Sequence, residues 1–192
     1  MVSPYLQAPA EVLWVLLTPY VASATATLPR GRGPPMDFGR LWPGDGRRVF
    51  GPSKTWSGFV CGVAIAFPIA LFQAWLILIA PPSLAIVPQF GPTVVGAIPV
   101  ALLLTVGAMS GDALGSFLKR RLGLPSGQRA PLLDQLPLVA VPVLLGLVFF
   151  PATFVPALWS LQGLFWLLVF TLGLHTAFNW VGYHVGLKRV PW

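Results

Sequence analysis

Long apolar runs separated by short basic segments are the feature of this chain that most constrains its fold. The runs are continuous rather than alternating in polarity, so they predict membrane-spanning helices and not the strands of a membrane barrel. Only 9% of the residues are charged, whereas a soluble domain carries roughly 25%. We therefore predict an all-α, polytopic integral membrane protein with about five transmembrane helices.

The apolar runs and the prolines and charges that end them predict five spans. Their approximate ranges are 10–28, 59–80, 93–118, 135–154 and 157–187. The chain would form a single transmembrane domain, residues 1–192, with two functional cytoplasmic loops at about 30–56 and 119–134. An odd number of spans puts the termini on opposite sides of the membrane. With the basic segments in the cytoplasm, the N-terminus lies outside the cell and the C-terminus in the cytoplasm.

Lysine and arginine are confined to three parts of the chain, at residues 30–54, 119–129 and 188–189. The positive-inside rule places all three on the cytoplasmic side of the cell membrane, in agreement with five spans. The net charge of +7 then has two explanations. Basic loops can serve topology alone, or they can also bind anionic lipid headgroups or phosphates.

The stretch from residue 111 to residue 136 carries two of the five acidic residues, Asp112 and Asp134. If its first part is helical, Asp112, Ser116 and Lys119 lie on one face, because they occupy positions i, i+4 and i+7. An acid near the end of an apolar helix is costly unless it faces a polar cavity, a cation or a partner. This face is therefore a candidate functional surface.

A stripe of glycines, Gly107, Gly111 and Gly115, recurs every four residues on the same predicted helix. Stripes of small residues let the backbones of two membrane helices approach each other closely. We therefore expect another helix to pack against this stripe.

Residues 51–58 directly precede the second apolar run. Ser53, Thr55 and Ser57 are candidate N-caps, and a helix start offers free backbone N–H groups to an anion. Lys54 beside them could meet a phosphate as a point charge. The alternative is a capped, basic helix start that binds nothing. The segment does not match the Walker A pattern, so a P-loop is not supported.

Asp37, Asp112 and Asp134 all lie at the predicted cytoplasmic boundary, among lysines and arginines. Few acids among many bases suggest a site that holds Mg²⁺ and a polyanionic phosphate together, because Mg²⁺ prefers one or two carboxylates plus substrate phosphates. The alternative for Asp134 is simple capping of a helix N-terminus. No Ser–His–Asp order and no zinc-ligand spacing is visible in the sequence. The residues thus favour phosphoryl or nucleotidyl transfer at a membrane surface.

Residues 111–120, GDALGSFLKR, resemble the GD-x(3)-S-x(2)-KR core of the CDP-diacylglycerol synthase (phosphatidate cytidylyltransferase) signature. Residues 127–135 stand where that signature has a GHGG-x(2)-DR segment, but its HGG element and its arginine are replaced. These differences are similar to the archaeal branch of the family, the CDP-archaeol synthases. Further segments similar to that branch are residues 35–39, 45–48, 54–58 and 175–192. The resemblance therefore covers residues 34–192.

The resemblance implies an enzyme that uses CTP, Mg²⁺ and an isoprenoid ether-lipid phosphate, 2,3-bis-O-geranylgeranylglycerol 1-phosphate, to form CDP-archaeol and pyrophosphate. It implies that Asp112 and Asp134 bind the metal and act in catalysis together with Lys119. Asp37 would be a further loop acid, either a second-metal ligand or an anchor for a lysine or arginine. The residues implied in nucleotide and phosphate binding are Lys54, Thr55, Ser57, Gly58, Ser116, Arg120 and Arg129.

The implied partners are CTP, the ether-lipid phosphate and the lipid bilayer, with no nucleic acid and with a homodimer as a possible assembly. The alternatives are a transport or binding protein for a phosphate-bearing lipid and a structural subunit whose charges only set topology. An alcohol phosphatidyltransferase would carry a D-x(2)-D-G-x(2)-A-R motif, which the sequence lacks. His175 and Asn179, one helical turn apart, either bond to a neighbouring helix or line the cavity.

Overall fold

The computed structural model describes residues 4–81 and 86–186, and the side chains of residues 4–6, 175, 178 and 179 lie outside that description. Regular secondary structure in the described part is helical throughout. Its helices are α1 Pro4–Thr25, α2 Trp56–Ile79, α3 Ile98–Arg121, α4 Pro131–Phe149, α5 Pro151–Leu158 and α6 Leu161–His184. We call residues 26–55 the first loop and residues 122–130 the second loop.

Three of these helices, α2, α3 and α4, are long and apolar enough to cross a membrane. α5 and residues 161–174 form a pair bent by 85°, which gives a fourth candidate if the pair is one broken span. The all-α membrane class is confirmed, with three to four candidate spans in the described residues where about five were predicted. α1 is not among them: it carries Gln7 and Glu11 and is interrupted by Pro9 and Pro19.

The last part of the chain is divided differently from the prediction. α4 ends at Phe149 rather than near residue 154, and the short α5 follows at once. Pro151 lies in the first turn of α5, where a missing N–H leaves no intrahelical bond unmade. α6 begins after Ser160, whose hydroxyl accepts a hydrogen bond from the N–H of Gly163 at 2.9 Å. Each of these breaks therefore has a local cause in the sequence.

The glycine stripe of α3 packs against α4, as the spacing predicted. A Cβ atom at Gly111 would overlap the carbonyl oxygen of Pro137, and one at Gly115 would overlap that of Leu133. Gly107, one turn earlier on α3, also faces α4, since a Cβ atom there would lie 3.0 Å from Cβ of Pro142. The two helices are thus in contact backbone to backbone, which only residues without a side chain permit.

α1 and α2 also approach each other closely. A Cβ atom at Gly62 would lie 2.7 Å from the carbonyl oxygen of Ala22. Deeper in the bundle, Thr18 donates a hydrogen bond to Oε1 of Gln73 (2.6 Å), and Nε2 of Gln73 donates to the carbonyl of Trp14 (2.9 Å). These bonds pair polar groups for which an apolar surrounding offers no other partner.

The first and second loops, which are polar, lie together at one end of the bundle. The C-terminal ends of α1 and α3 meet the N-terminal ends of α2 and α4 there, and the turn after α6 also reaches it. The two loops therefore lie at the same end of the bundle, as the sequence predicted.

We predict that Gly111→Ala destabilises the protein strongly, because the new methyl group would force α3 and α4 apart. Overpacking of this kind costs on the order of 3 kcal/mol. The measurement is thermal unfolding of the detergent-solubilised protein. Gly173→Ala on α6 is the matched control, since a Cβ atom there has no neighbouring atom within 4 Å. Equal midpoints for the two variants would show that the close helix contact carries no stability.

Candidate active site

A cavity of about 850 Å³ lies between the two loops and the adjoining helix ends. It gathers most of the residues that the sequence singled out. Those that line it are Lys54, Thr55, Gly58, Asp112, Ser116, Lys119 and Asp134. Those that do not are Asp37, Ser57, Arg120 and Arg129.

The predicted polar face of α3 forms one wall of the cavity. Asp112, Ser116 and Lys119 are all helical, and all three reach the cavity. The spacing of these residues along α3 therefore places an acid, a hydroxyl and an ammonium group on the one face that lines the cavity. The facing wall is supplied by the start of α4, which the glycine stripe holds against α3.

Asp112 is paired across the cavity with the first loop. Nζ of Lys54 lies 2.5 Å from Oδ2 of Asp112, and both side chains are about one quarter exposed. Lys54 lies directly before the start of α2, so the pair joins the start of one helix to the body of another. A carboxylate in an apolar helix thus has the cationic partner that its position demands.

Asp134 carries the second ion pair of the cavity. Its Oδ1 lies 2.7 Å from Nζ of Lys119, which also donates a hydrogen bond to the carbonyl of Gln128 at 2.7 Å. Its Oδ2 accepts a hydrogen bond from the N–H of Ala130 at 2.9 Å. The capping interpretation of Asp134 is therefore met by one oxygen, while the other oxygen faces the cavity lysine. A carboxylate in the first turn of α4 is also favoured by the helix dipole.

The start of α2 is built by Thr55, which is its N-cap. The Thr55 hydroxyl accepts a hydrogen bond from the N–H of Gly58 at 3.2 Å. Ser57 lies outside the cavity, because its hydroxyl donates to the carbonyl of Arg32 in the first loop. The predicted capping role thus belongs to Thr55, and Ser57 ties the loop to the helix.

Asp37 is a buried anchor of the first loop and does not line the cavity. Its carboxylate forms an ion pair with Arg48 and accepts hydrogen bonds from the N–H groups of Gly39 (3.0 Å), Phe50 (3.1 Å) and Gly51 (2.9 Å). Burial raises the pKa of Asp37, but the Arg48 guanidinium and the three N–H groups outweigh it and hold that pKa well below its ordinary value. Of the two roles expected for Asp37, the geometry favours the anchor.

The arginines at the end of α3 hold the two loops and do not line the cavity. Arg120 is buried and donates to the carbonyl of Pro125 at 3.1 Å. Arg121 forms an ion pair with Asp45 (2.8 Å) and donates to the carbonyl of Arg48 (2.7 Å). The predicted phosphate-binding role of Arg120 therefore has no support in its position. Arg129 is exposed in the second loop, outside the cavity.

Several cavity residues escaped the sequence analysis. Arg30, Ser126 and Gln128 line the cavity, and the hydroxyl of Ser126 lies 3.3 Å from that of Ser53 across the two loops. Loop residues follow no helical or strand period, so no pattern marked them. The side chains of His175 and Asn179 lie outside the described residues, as does the predicted tail at 187–192.

An apolar helical bundle with a polar cavity at one end, lined by two carboxylates and basic side chains, defines a membrane protein built to act on phosphate-bearing substrates. Comparison with known proteins agrees. The family model described as CarS-like, CDP-archaeol synthase, matches residues 6–192. The chain belongs to the CDP-archaeol synthase family.

Relatives and a solved structure support this assignment. The chain is 40% identical over 180 residues to CDP-archaeol synthase of Thermococcus gammatolerans, covering 94% of each protein. It is 39% identical to that of Methanosphaerula palustris, covering 92% of this chain and 100% of the relative. A solved structure described as an intramembrane enzyme for archaeal membrane lipids biosynthesis is 30% identical, with a TM-score of 0.61. The match covers 88% of this chain and 93% of that one.

We predict that Asp37→Asn lowers thermal stability at neutral pH, because an amide NH₂ group would face donors that the carboxylate now satisfies. Losing hydrogen bonds to a charged group costs on the order of 2 kcal/mol. The folded-state pKa of Asp37 lies below that of the unfolded chain, near 3.9. Its contribution is therefore fully present above about pH 4 and is lost as the pH falls further.

Unfolding midpoints measured against pH check this prediction. The gap between wild type and Asp37→Asn should be wide at pH 7 and should narrow below about pH 4. Asp45→Asn is the matched control, since it removes an arginine-paired carboxylate that is more exposed. A gap that stays constant from pH 7 to pH 3 would contradict the assigned role.

Proposed function

We propose that this protein transfers CMP from CTP to the phosphate of an archaeal ether lipid, 2,3-bis-O-geranylgeranylglycerol 1-phosphate, giving CDP-archaeol and pyrophosphate. Its family supplies the activity: it is a CTP-dependent cytidylyltransferase that acts on a lipid phosphate in the membrane. The observation that carries the site assignment is the cavity itself. It holds Asp112 and Asp134, from two different helices, beside Lys54 and Lys119.

In the proposed reaction, an oxygen of the lipid phosphate attacks the α-phosphorus of CTP. A new P–O bond forms there, the bond from that phosphorus to the oxygen bridging to the β-phosphate breaks, and pyrophosphate leaves. The attacking phosphate is already an anion, so it needs alignment and charge neutralisation more than a strong base. Lys54 and Lys119 supply the neutralising charge, and Ser116 between Asp112 and Lys119 offers a hydrogen bond.

The two carboxylates fit a magnesium ion. Among the described residues, no group of three or more His, Cys, Asp or Glu side chains could hold a metal. Mg²⁺ takes one or two carboxylates and completes its shell with substrate phosphates and water, and Asp112 and Asp134 bring two carboxylates to one cavity. Asp112 and Asp134 would hold the ion, which when bound offsets negative charge at the transferring phosphorus.

The cavity also offers a place for the lipid. Besides its polar groups it is lined by Phe59, Met109 and Leu133, which are suited to the glycerol ether end of an isoprenoid chain. We place this end of the bundle on the cytoplasmic side, because both basic loops lie there. We also propose that α1 crosses the membrane, which would place the N-terminus outside and the C-terminus in the cytoplasm. The homodimer stays a prediction.

We predict that Asp112→Asn and Asp134→Asn each reduce product formation by at least about a hundredfold, as expected for groups that stabilise charge in the transition state. The assay follows labelled CTP into CDP-lipid with purified protein in vesicles. Asp45→Asn is the control, since Asp45 lies outside the cavity. Near-normal turnover in either cavity variant would refute its role. No CDP-lipid from wild type would favour the transport or binding alternative.

A second prediction concerns the metal. Product formation should be lost on chelation with EDTA and restored by excess Mg²⁺, because the polyphosphate charge exceeds what the cavity cations can offset. Asp112→Asn should shift the Mg²⁺ dependence of any residual activity to higher concentration, whereas Asp45→Asn should not. Full turnover in EDTA would contradict the magnesium assignment.

A further inference from the structure

Among the residues that the structure describes, three cationic side chains line the cavity, and two of them are already paired. Lys54 is held by Asp112 and Lys119 by Asp134. The third is Arg30, which is exposed at the cavity and has no side-chain hydrogen bond or ion pair within the described part of the chain. Of these described cavity cations, Arg30 is therefore the one whose charge is not balanced by a carboxylate in the described part of the chain.

The backbone around Arg30 is ordered although its side chain is unpaired. The N–H of Arg30 donates to the carbonyl of Thr27 at 2.9 Å, and the N–H of Arg32 donates to that of Pro29 at 3.0 Å. Ser57 on α2 donates to the carbonyl of Arg32 and so ties this turn to the neighbouring helix. The turn thus presents Arg30 from a fixed backbone.

Arg30 also adopts a backbone conformation that disfavours arginine. Its φ is +53°, in the left-handed region, and the neighbouring Gly31 and Gly33 have φ of +72° and +96°. A glycine would adopt this conformation freely, whereas a residue with a Cβ atom pays roughly 1–2 kcal/mol. The other non-glycine residue with positive φ in the described chain is Phe38. A strained arginine with a free guanidinium at a cavity calls for a role of its side chain.

We infer that Arg30 binds a phosphate group of a substrate in the cavity. A guanidinium presents a planar fork that bonds two phosphate oxygens at once and stays charged at any physiological pH. The inference rests on the proposed function, because both substrates of that reaction carry phosphate. The group is either the triphosphate of CTP or the phosphate of the ether lipid, and the kinetic constants for the two substrates tell them apart.

The experiment uses full-length protein in vesicles with Mg²⁺, labelled CTP and 2,3-bis-O-geranylgeranylglycerol 1-phosphate. The variants are Arg30→Ala, Arg30→Gly and Arg30→Lys, with Arg32→Ala as the matched control. Arg32 is an exposed arginine two residues away that does not line the cavity. KM and kcat are measured for each substrate in turn, and unfolding midpoints are measured for every variant.

Arg30→Ala and Arg30→Gly should raise KM for one substrate roughly tenfold or more, the effect of losing a charge-assisted hydrogen bond. Arg30→Lys should recover part of the loss, and Arg32→Ala should stay near wild type. Arg30→Gly should unfold at or above the wild-type temperature, because glycine relieves the backbone strain. A rise in KM for CTP alone assigns the triphosphate, and a rise for the lipid alone assigns the lipid phosphate.

The failures are distinguishable. If the wild-type protein forms no CDP-lipid, the proposed function is refuted. Active wild type, with Arg30→Gly and Arg32→Ala showing the same KM values for both substrates, overturns the role of Arg30 alone. Activity that is lost in Arg30→Ala together with its stability, but kept in Arg30→Gly, would make Arg30 a structural residue and would equally overturn the inference.

Discussion

Backbone contact between α3 and α4 determines how far apart the two carboxylate-bearing walls of the cavity lie. The contact depends on glycines that leave no room for a side chain, so its geometry is set by main-chain atoms and not by flexible groups. Asp112 lies next to Gly111 on α3, and Asp134 lies next to Leu133, whose carbonyl faces Gly115. The residues proposed to bind the ion therefore sit beside the points where the helices touch, and their spacing inherits that rigidity.

The first loop reaches the cavity through a different kind of interaction. Charged contacts hold this loop in place: the buried Asp37 binds Arg48 and three backbone N–H groups, and Arg121 pairs with Asp45 and so fastens the loop to the end of α3. None of these groups lines the cavity. Their effect is to fix a long segment without regular structure, which would otherwise place a reactive lysine only loosely. The protein thus separates the charges that shape the loop from those that face the substrates.

Periodic features were readable from the sequence, and contacts between distant segments were not. The face of Asp112, Ser116 and Lys119 and the glycine stripe both follow from the helical repeat. The pairing of Lys54 with Asp112 joins the first loop to α3, so it depends on how the loop and the helices pack. The anchor role of Asp37 was one of two expected roles, and its burial, its ion pair with Arg48 and its place outside the cavity separate them. No sequence pattern marked Arg30 as a site residue. Its positive φ contradicts the local preference of arginine and is imposed by the surrounding structure.

The paired lysines have a consequence for the order in which charge can enter the cavity. Lys54 and Lys119 can leave their aspartates at low cost only when another anion takes up the released ammonium groups. A bare divalent cation offers no such anion. A cation already complexed with a polyphosphate brings both the metal for the aspartates and the anion for the lysines. With the proposed function, we therefore expect the cavity to bind the complex in preference to its separate parts, with thermodynamically coupled affinities for the two components.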